Sequence, residues 1–131
     1  MRSEMIGIVA CSGASNTGQF SDLVARKLVK SGKARMLCLA RLAIDEVFAE
    51  KSKTEFTTLI VLDGCPINCA EKILQHRGIT SFQHIHTTDF GIIKGQTPVT
   101  EEKVDEIVDH ILRKIGTPMP NENNIKIGDL K

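Results

Sequence analysis

The four cysteines of this chain can take part in more kinds of reaction than its other residues, because a thiolate can bind a metal ion, attack an electrophile or form a disulfide. They are Cys11, Cys38, Cys65 and Cys69, separated by 27, 27 and 4 residues. A small secreted disulfide framework would be shorter and denser in cysteine. A buried cysteine also packs as a small hydrophobe, so the chemistry depends on which elements hold each thiol.

Four short segments, three of them mainly apolar, predict β-strands. They cover residues 5–10, 34–39, 57–62 and 82–87. The clearest of them, 57–62, is rich in branched apolar residues, as buried strands of a parallel sheet usually are. The fourth segment is more polar, so we expect it near an edge of the sheet.

Apolar residues at helical spacing predict a helix after each of these segments. The predicted helices run from the turn cluster 12–16 to Gly32, from Arg41 to Ala49, from Pro66 to about Arg77, and from Thr100 to Gly116. This alternation predicts a single three-layer α/β domain, Rossmann-like or flavodoxin-like, with a mainly parallel sheet of about four strands and helices on both faces. We expect the domain to span 1–116 and the tail 117–131 to be loose, or to add an edge strand at 125–127.

On this scheme the cysteines gather at one edge of the sheet. Cys11 ends the first strand, and Cys38 lies at or near the end of the second. Cys65 follows the third strand, and Cys69 lies one turn into the next helix. Open parallel sheets bind ligands at the carboxyl ends of their strands. If the first strand lies between the second and third, all four sulfurs can reach one crevice, which favours a shared Zn²⁺ site over scattered core cysteines.

Thiolates at this edge need positive charge nearby. The helices that follow the strands begin there, and helix N-termini carry partial positive charge. Arg41 and Lys72, each three residues from a cysteine, add to that charge or are simply solvated. Cys65 and Cys69 stand at i and i+4, so both can face one side of a helix start. Their Cα separation there, about 6 Å, lies within the range for a disulfide but not at its optimum, so a redox switch stays open.

Three other polar residues belong to the same region. Asp63 ends the third strand, where it would accept amide hydrogen bonds beside a metal site or form an Asx turn that caps the next helix. His84 and His86 stand at i and i+2, so they share one face of the fourth strand. Such a pair can bind a metal, but histidines on an edge strand are more often surface groups. They are therefore not part of the predicted ligand set.

The loop 11–18, CSGASNTG, has the glycine spacing of a phosphate-binding loop without its charged residues. A Walker A loop needs Lys followed by Ser or Thr where Gln19 and Phe20 stand. A cysteine phosphatase loop would have Arg in place of Thr17. The loop therefore indicates a tight strand-to-helix turn, whose amides could also bond the Cys11 sulfur or a small anion.

Composition excludes several classes of partner. Seventeen Lys and Arg against sixteen Asp and Glu give a net charge of +1, so there is no basic field for nucleic acid. The chain has five Phe and no Tyr or Trp, which argues against binding by base stacking. No apolar run approaches the ~20 residues that cross a bilayer. The N-terminus has no secretory signal pattern, so we expect a cytoplasmic protein with reduced thiols and no membrane partner.

Three separated segments, each holding a cysteine, resemble the DGC-domain proteins, a family named for its central Asp-Gly-Cys motif. They are 63–70 (DGCPINCA), 11–19 (CSGASNTGQ) and 36–40 (MLCLA). The resemblance extends from about Ile6 to the last long helix. The family is described as a set of candidate zinc-binding proteins with four potential chelating cysteines. The resemblance thus implies zinc ligation by Cys11, Cys38, Cys65 and Cys69, and it implies no reaction.

The leading hypothesis is a protein that binds one Zn²⁺ through the four thiolates, in a structural, sensing or carrier role. A second hypothesis is a thiol-redox or sulfur-handling enzyme that uses Cys65 or Cys69 as its nucleophile. A third is an iron–sulfur cluster, although the spacing matches no ferredoxin run. Whether the protein is an enzyme, and which protein partners or oligomeric state it has, stay open.

Overall fold

The positions of the strands and helices come from a computed structural model that describes residues 6–11, 15–32, 34–64 and 67–114. In chain order the elements are β1 (Ile6–Ala10), α1 (Asn16–Lys30), β2 (Ala34–Leu37), α2 (Leu39–Ile44), α3 (Glu46–Glu55), β3 (Thr58–Asp63), α4 (Cys69–His76), β4 (Gln83–His86), a 3₁₀ turn (Thr87–Phe90) and α5 (Glu101–Lys114). The predicted tail and its strand at 125–127 lie outside the described residues. Among the helices described, none has the length and apolar character to cross a membrane.

The sheet is entirely parallel, with the strand order β2-β1-β3-β4. β1 lies between β2 and β3, so that Val9 is in register with Leu37 on one side and with Val61 on the other. Within the described chain β4 pairs with β3 alone, which puts the most polar strand at an edge, as predicted. The predicted α/β fold class is confirmed.

Successive residues of β1 point into two separate apolar cores. Ile8 and Ala10 belong to the core that α1 and α5 cover. Val9 and Cys11 belong to the core that α2, α3 and α4 cover. Helices therefore lie on both faces of the sheet, which explains why every residue of β1 is buried.

The predicted helix 41–49 is in fact two helices, α2 and α3. They meet at Asp45, whose backbone is extended (φ −120°, ψ 99°). Asp45 Oδ1 accepts a hydrogen bond from the Phe48 amide at 3.0 Å and so caps α3. α2 begins at Leu39, so β2 ends two residues earlier than predicted. A local aspartate cap thus interrupts a pattern of apolar spacing that otherwise favours one continuous helix.

The Asp45 cap should make part of the fold's stability depend on acid pH. Hydrogen bonds from the Phe48 amide and from the Arg41 guanidinium lower the pKa of Asp45 below its ordinary 3.8. A lowered pKa adds stability above the unfolded-state pKa, and this stability is lost as pH falls through the folded-state pKa. Asp45→Asn should therefore flatten the rise of Tm between about pH 2 and pH 5. Calorimetry would test this against Asp89→Asn, an exposed control, and unchanged slopes for Asp45→Asn would contradict it.

Asn16 ties the loop before α5 to the start of α1. Its Nδ2 donates to the carbonyls of Ile93 at 3.1 Å and Thr97 at 2.8 Å, and its Oδ1 accepts from the Gly95 amide at 2.7 Å. The cap of α1 is the preceding residue, Ser15, whose hydroxyl accepts from the Gly18 amide at 3.2 Å. Asn16 is therefore a loop anchor, a role that its place in the turn cluster did not indicate.

Asn16→Ala should release this loop while leaving the sheet intact. Three hydrogen bonds disappear, of which two to exposed groups are replaced by water, so we expect a loss of about 1–2 kcal/mol in the free energy of unfolding. Hydrogen exchange at the Gly95 amide should accelerate about tenfold. Gln19→Ala changes an exposed polar residue of the same helix and serves as the control. Unchanged exchange at Gly95 would show that Asn16 does not hold the loop.

Candidate functional site

Three of the four cysteines lie at the carboxyl edge of the sheet. Cys11 follows β1 directly, and its amide donates to the Leu62 carbonyl at 2.8 Å, which extends the pairing of β1 with β3. Cys38 follows β2 and is the N-cap residue of α2. Cys69 is the first residue of α4, the helix that follows β3. The adjacent strands β2, β1 and β3 thus each lead to a cysteine.

The three thiols differ in their surroundings. Cys11 is buried in the core beneath α2, α3 and α4, whereas Cys38 and Cys69 are exposed. Among the described residues, no three His, Cys, Asp or Glu side chains are grouped closely enough to hold a metal ion. Cys65 lies outside the described residues. The four-cysteine ligand set therefore stays a prediction.

Cys38 lines a cleft of about 590 Å³ above the ends of β1 and β2. Its walls are mainly apolar, and its charged residues are Asp22 and Arg26, which pair with each other at 2.8 Å. Arg41 does not add charge to this edge. Its guanidinium pairs with Asp45 at 3.1 Å and lies 4.4 Å from the centre of the Phe48 ring. Arg41 is a surface residue of the α2–α3 junction.

Asp63 is the best-connected polar residue at this edge, and it is fully buried. Its Oδ1 accepts from the Ala70 amide at 2.9 Å, and its Oδ2 accepts from the Glu71 amide at 3.1 Å. The carboxylate therefore satisfies the second and third amides of α4, seven and eight residues further along the chain. Asp63 thus places a carboxylate against the N-terminus of α4, the helix end that carries partial positive charge.

Gly64 stands where the end of β3 passes against the start of α1. A Cβ atom at this position would lie 2.6 Å from the carbonyl carbon and oxygen of Thr17 and 2.7 Å from the Gly18 nitrogen. These neighbours are backbone atoms and cannot rotate away. In the sequence, Gly64 stands out only as part of the Asp-Gly-Cys motif; the structure shows that the position needs a residue without a Cβ atom.

α4 begins at Cys69, three residues later than the predicted start at Pro66. Ile67 lies in a turn, and Asn68 has a left-handed backbone (φ 58°, ψ 49°). The expectation that Cys69 lies one turn inside the helix is wrong. The two described residues just before Cys69, Ile67 and Asn68, are not helical. Cys65 lies outside the described residues, so its i, i+4 relation to Cys69 stays a prediction.

Comparison with known proteins gives the family. The profile of the DGC domain matches residues 7–111, most of the chain. The chain belongs to the DGC-domain family. This DGC domain is also similar to the "Anaerobic and virulence modulator AnvM" of Pseudomonas aeruginosa, with 28% identity over 87 residues. That match covers 66% of this chain and 66% of AnvM. No solved structure gives a significant match.

In this DGC domain, the first two residues of the family motif have separate structural roles. Asp63 anchors α4, and Gly64 allows β3 to pass close to α1. Two histidines of β4 complete the surroundings. His84 Nε2 lies 2.6 Å from Asp63 Oδ2, and His86 Nε2 lies 2.5 Å from Asn68 Oδ1. The histidines share a face, as predicted. His84 contacts the first residue of the motif, and His86 contacts Asn68, three residues beyond the motif.

Proposed function

We propose that this DGC domain binds one Zn²⁺ ion through Cys11, Cys38, Cys65 and Cys69, in a structural, sensing or carrier role. One observation carries the proposal: three adjacent strands each lead to a cysteine at the same edge of the sheet. Neighbouring strands lie ~4.8 Å apart, so side chains at their ends can converge on a single ion. Four thiolates are a complete tetrahedral shell for zinc.

The thiols lie in two kinds of surroundings, buried and exposed, and this difference suggests how a bound ion would affect the protein. Cys11 is fixed in the core, whereas Cys38 and Cys69 stand at exposed helix starts. An ion bound by both kinds of thiol would join the buried sheet to surface segments. Zinc would then stabilise the native state in proportion to its binding free energy. A role in the cytosol follows from this proposal, because thiols there stay reduced and available to metal.

The test is metal analysis of protein purified anaerobically without chelator, compared with four single Cys→Ser variants. Wild type should hold about one zinc per chain, and each variant should bind zinc at least tenfold more weakly, since a structural site needs all four ligands. His76→Gln, which alters an exposed potential ligand on α4, should bind like wild type. Zinc binding that survives all four substitutions would contradict the proposed ligand set.

A second candidate function is a thiol-redox or sulfur-handling enzyme with Cys65 or Cys69 as the nucleophile. One observation favours it: Cys69 is exposed to reagents. The relative's name, "Anaerobic and virulence modulator", is compatible with thiols that respond to oxidation and equally with a metal sensor. This function predicts rapid alkylation of one thiol whether or not chelator is present. Slow alkylation that accelerates only with chelator would exclude it.

A further inference from the structure

We propose that His84 and His86 are positioning residues of the cysteine site. From the edge strand β4 they hold Asp63 and Asn68, the residues on either side of the stretch 64–67, and thereby fix where Cys69 stands at the edge of the sheet. The inference rests on the proposed function only for the identity of the ligand, because the hydrogen bonds that carry it involve no metal.

The alternation of β4 brings the two histidines to the side of the sheet where α4 packs. Ile85, between them, faces the opposite core with α1 and α5. The register of β4 on β3 sets His84 beside Val61 and His86 beside Asp63. The two imidazole rings lie 4.4 Å apart at an angle of 58°. They form a pair of polar rings facing the start of α4.

His84 contacts the carboxylate that anchors α4. Its Nε2 lies 2.6 Å from Asp63 Oδ2, and its Nδ1 lies 3.5 Å from Glu71 Oε2. Asp63 in turn accepts hydrogen bonds from the Ala70 and Glu71 amides. A chain of hydrogen bonds thus links His84 on β4, through Asp63, to the first turn of α4. Several donors around one carboxylate also hold it in a single rotamer.

His86 reaches beyond Asp63, its neighbour in register, to the residue just before Cys69. Its Nε2 donates to Asn68 Oδ1 at 2.5 Å. Asn68 is the one described residue other than glycine with a positive φ, a conformation that costs roughly 1 kcal/mol for an L-residue. The side chain of Asn68 makes no cap bond to α4. The bond from His86 therefore holds Asn68 in the left-handed turn that directs the chain into Cys69.

Together the two bonds fix both ends of the segment that carries the Asp-Gly-Cys motif. Hydrogen bonds are directional. The two bonds therefore set the orientation of the turn that leads into Cys69 at the start of α4, which apolar packing alone does not do. Outer residues that orient a metal ligand typically change its affinity by 10–100-fold when they are removed. The i, i+2 spacing places the two histidines on one face of β4, but it carries no information about Asp63 and Asn68, which the fold brings opposite them.

The experiment compares His84→Ala, His86→Ala and His86→Asn with His84→Gln and His86→Gln, with His76→Ala as the control on α4. A Gln amide can donate from about the position of Nε2, whereas Ala and Asn cannot reach it. Three properties are measured: zinc affinity by chelator competition, the absorption bands of the Co²⁺-substituted protein, and the alkylation rate of Cys69 by mass spectrometry. The absence of Tyr and Trp leaves the near ultraviolet clear for thiolate–metal bands.

We expect the Ala and Asn variants to bind zinc at least about tenfold more weakly and to shift the Co²⁺ bands, while the Gln variants recover wild-type values. Wild-type affinity, spectrum and alkylation rate in the Ala variants would overturn the inference, as would equal losses in the Ala and Gln variants. If an Ala variant does not fold, the comparison of His86→Asn with His86→Gln decides.

If wild type binds no metal, the proposed function fails, and the alkylation rate of Cys69 then tests the inference by itself. A tenfold change of that rate in the Ala variants supports the inference, and an unchanged rate overturns it.

Discussion

Asp63→Ala should lower the free energy of unfolding by about 4 kcal/mol, the largest effect that we expect from a single polar substitution. The carboxylate is fully buried and accepts from the Ala70 and Glu71 amides and from His84. Alanine would leave these three donors without their acceptor, and two of them start α4. Removing one partner from a buried charged network costs far more than removing a surface group, because the remaining groups stay desolvated.

Urea denaturation would measure this loss, with two matched variants. Asp63→Asn keeps one oxygen and the side-chain volume, so it should cost about half as much as Asp63→Ala. Asp89→Ala removes an exposed carboxylate and should change stability by less than about 0.5 kcal/mol. A loss below about 1 kcal/mol in Asp63→Ala would mean that water or other groups readily replace the carboxylate.

Gly64→Ala should cost about 3 kcal/mol, for a steric reason. The added methyl group would meet backbone atoms of Thr17 and Gly18 at 2.6–2.7 Å, so β3 or α1 must move. Gly64 is not among the described glycines with positive φ, which are Gly32, Gly78, Gly91 and Gly95. The penalty therefore comes from crowding and not from backbone conformation.

Gly32→Ala separates these two causes. Gly32 has φ 84° and no atom near its hypothetical Cβ, so alanine there should cost about 1 kcal/mol through conformation alone. Denaturation of both variants in the same buffer would compare them. A Gly64→Ala protein that is as stable as Gly32→Ala would show that the contact between β3 and α1 relaxes without strain.

The sequence predicts the sheet well because the residue patterns that mark its strands are local. Apolar segments and short connections locate β1, β2 and β3, of which β1 and β3 are largely buried. The polar character of β4 agrees with its place at an edge of the sheet. The cysteines at the ends of these strands follow from the same pattern. Predicted helix boundaries were wrong where an aspartate side chain binds helix amides, locally at Asp45 and over seven and eight residues at Asp63. Pro66 is typical of a first helical position, yet α4 begins at Cys69, where Asp63 meets its amides.

The surroundings of the candidate site were less accessible to sequence analysis. Asp63 had two open interpretations, amide acceptor or local Asx turn, and the structure shows an acceptor that reaches amides seven and eight residues away. The pairing of His86 with Asn68 spans 18 residues and depends on a left-handed turn. No periodicity or spacing rule contains that information, because it comes from the register of β4 on β3 and the path of the loop between them.

The most direct test of the central claim is a combined zinc and free-thiol count on protein purified anaerobically without chelator. The account predicts about one zinc per chain and four thiols that react with a thiol reagent only after a chelator removes the ion. A chain without metal, in which all four thiols react at once and added zinc changes neither rate nor stability, would contradict it.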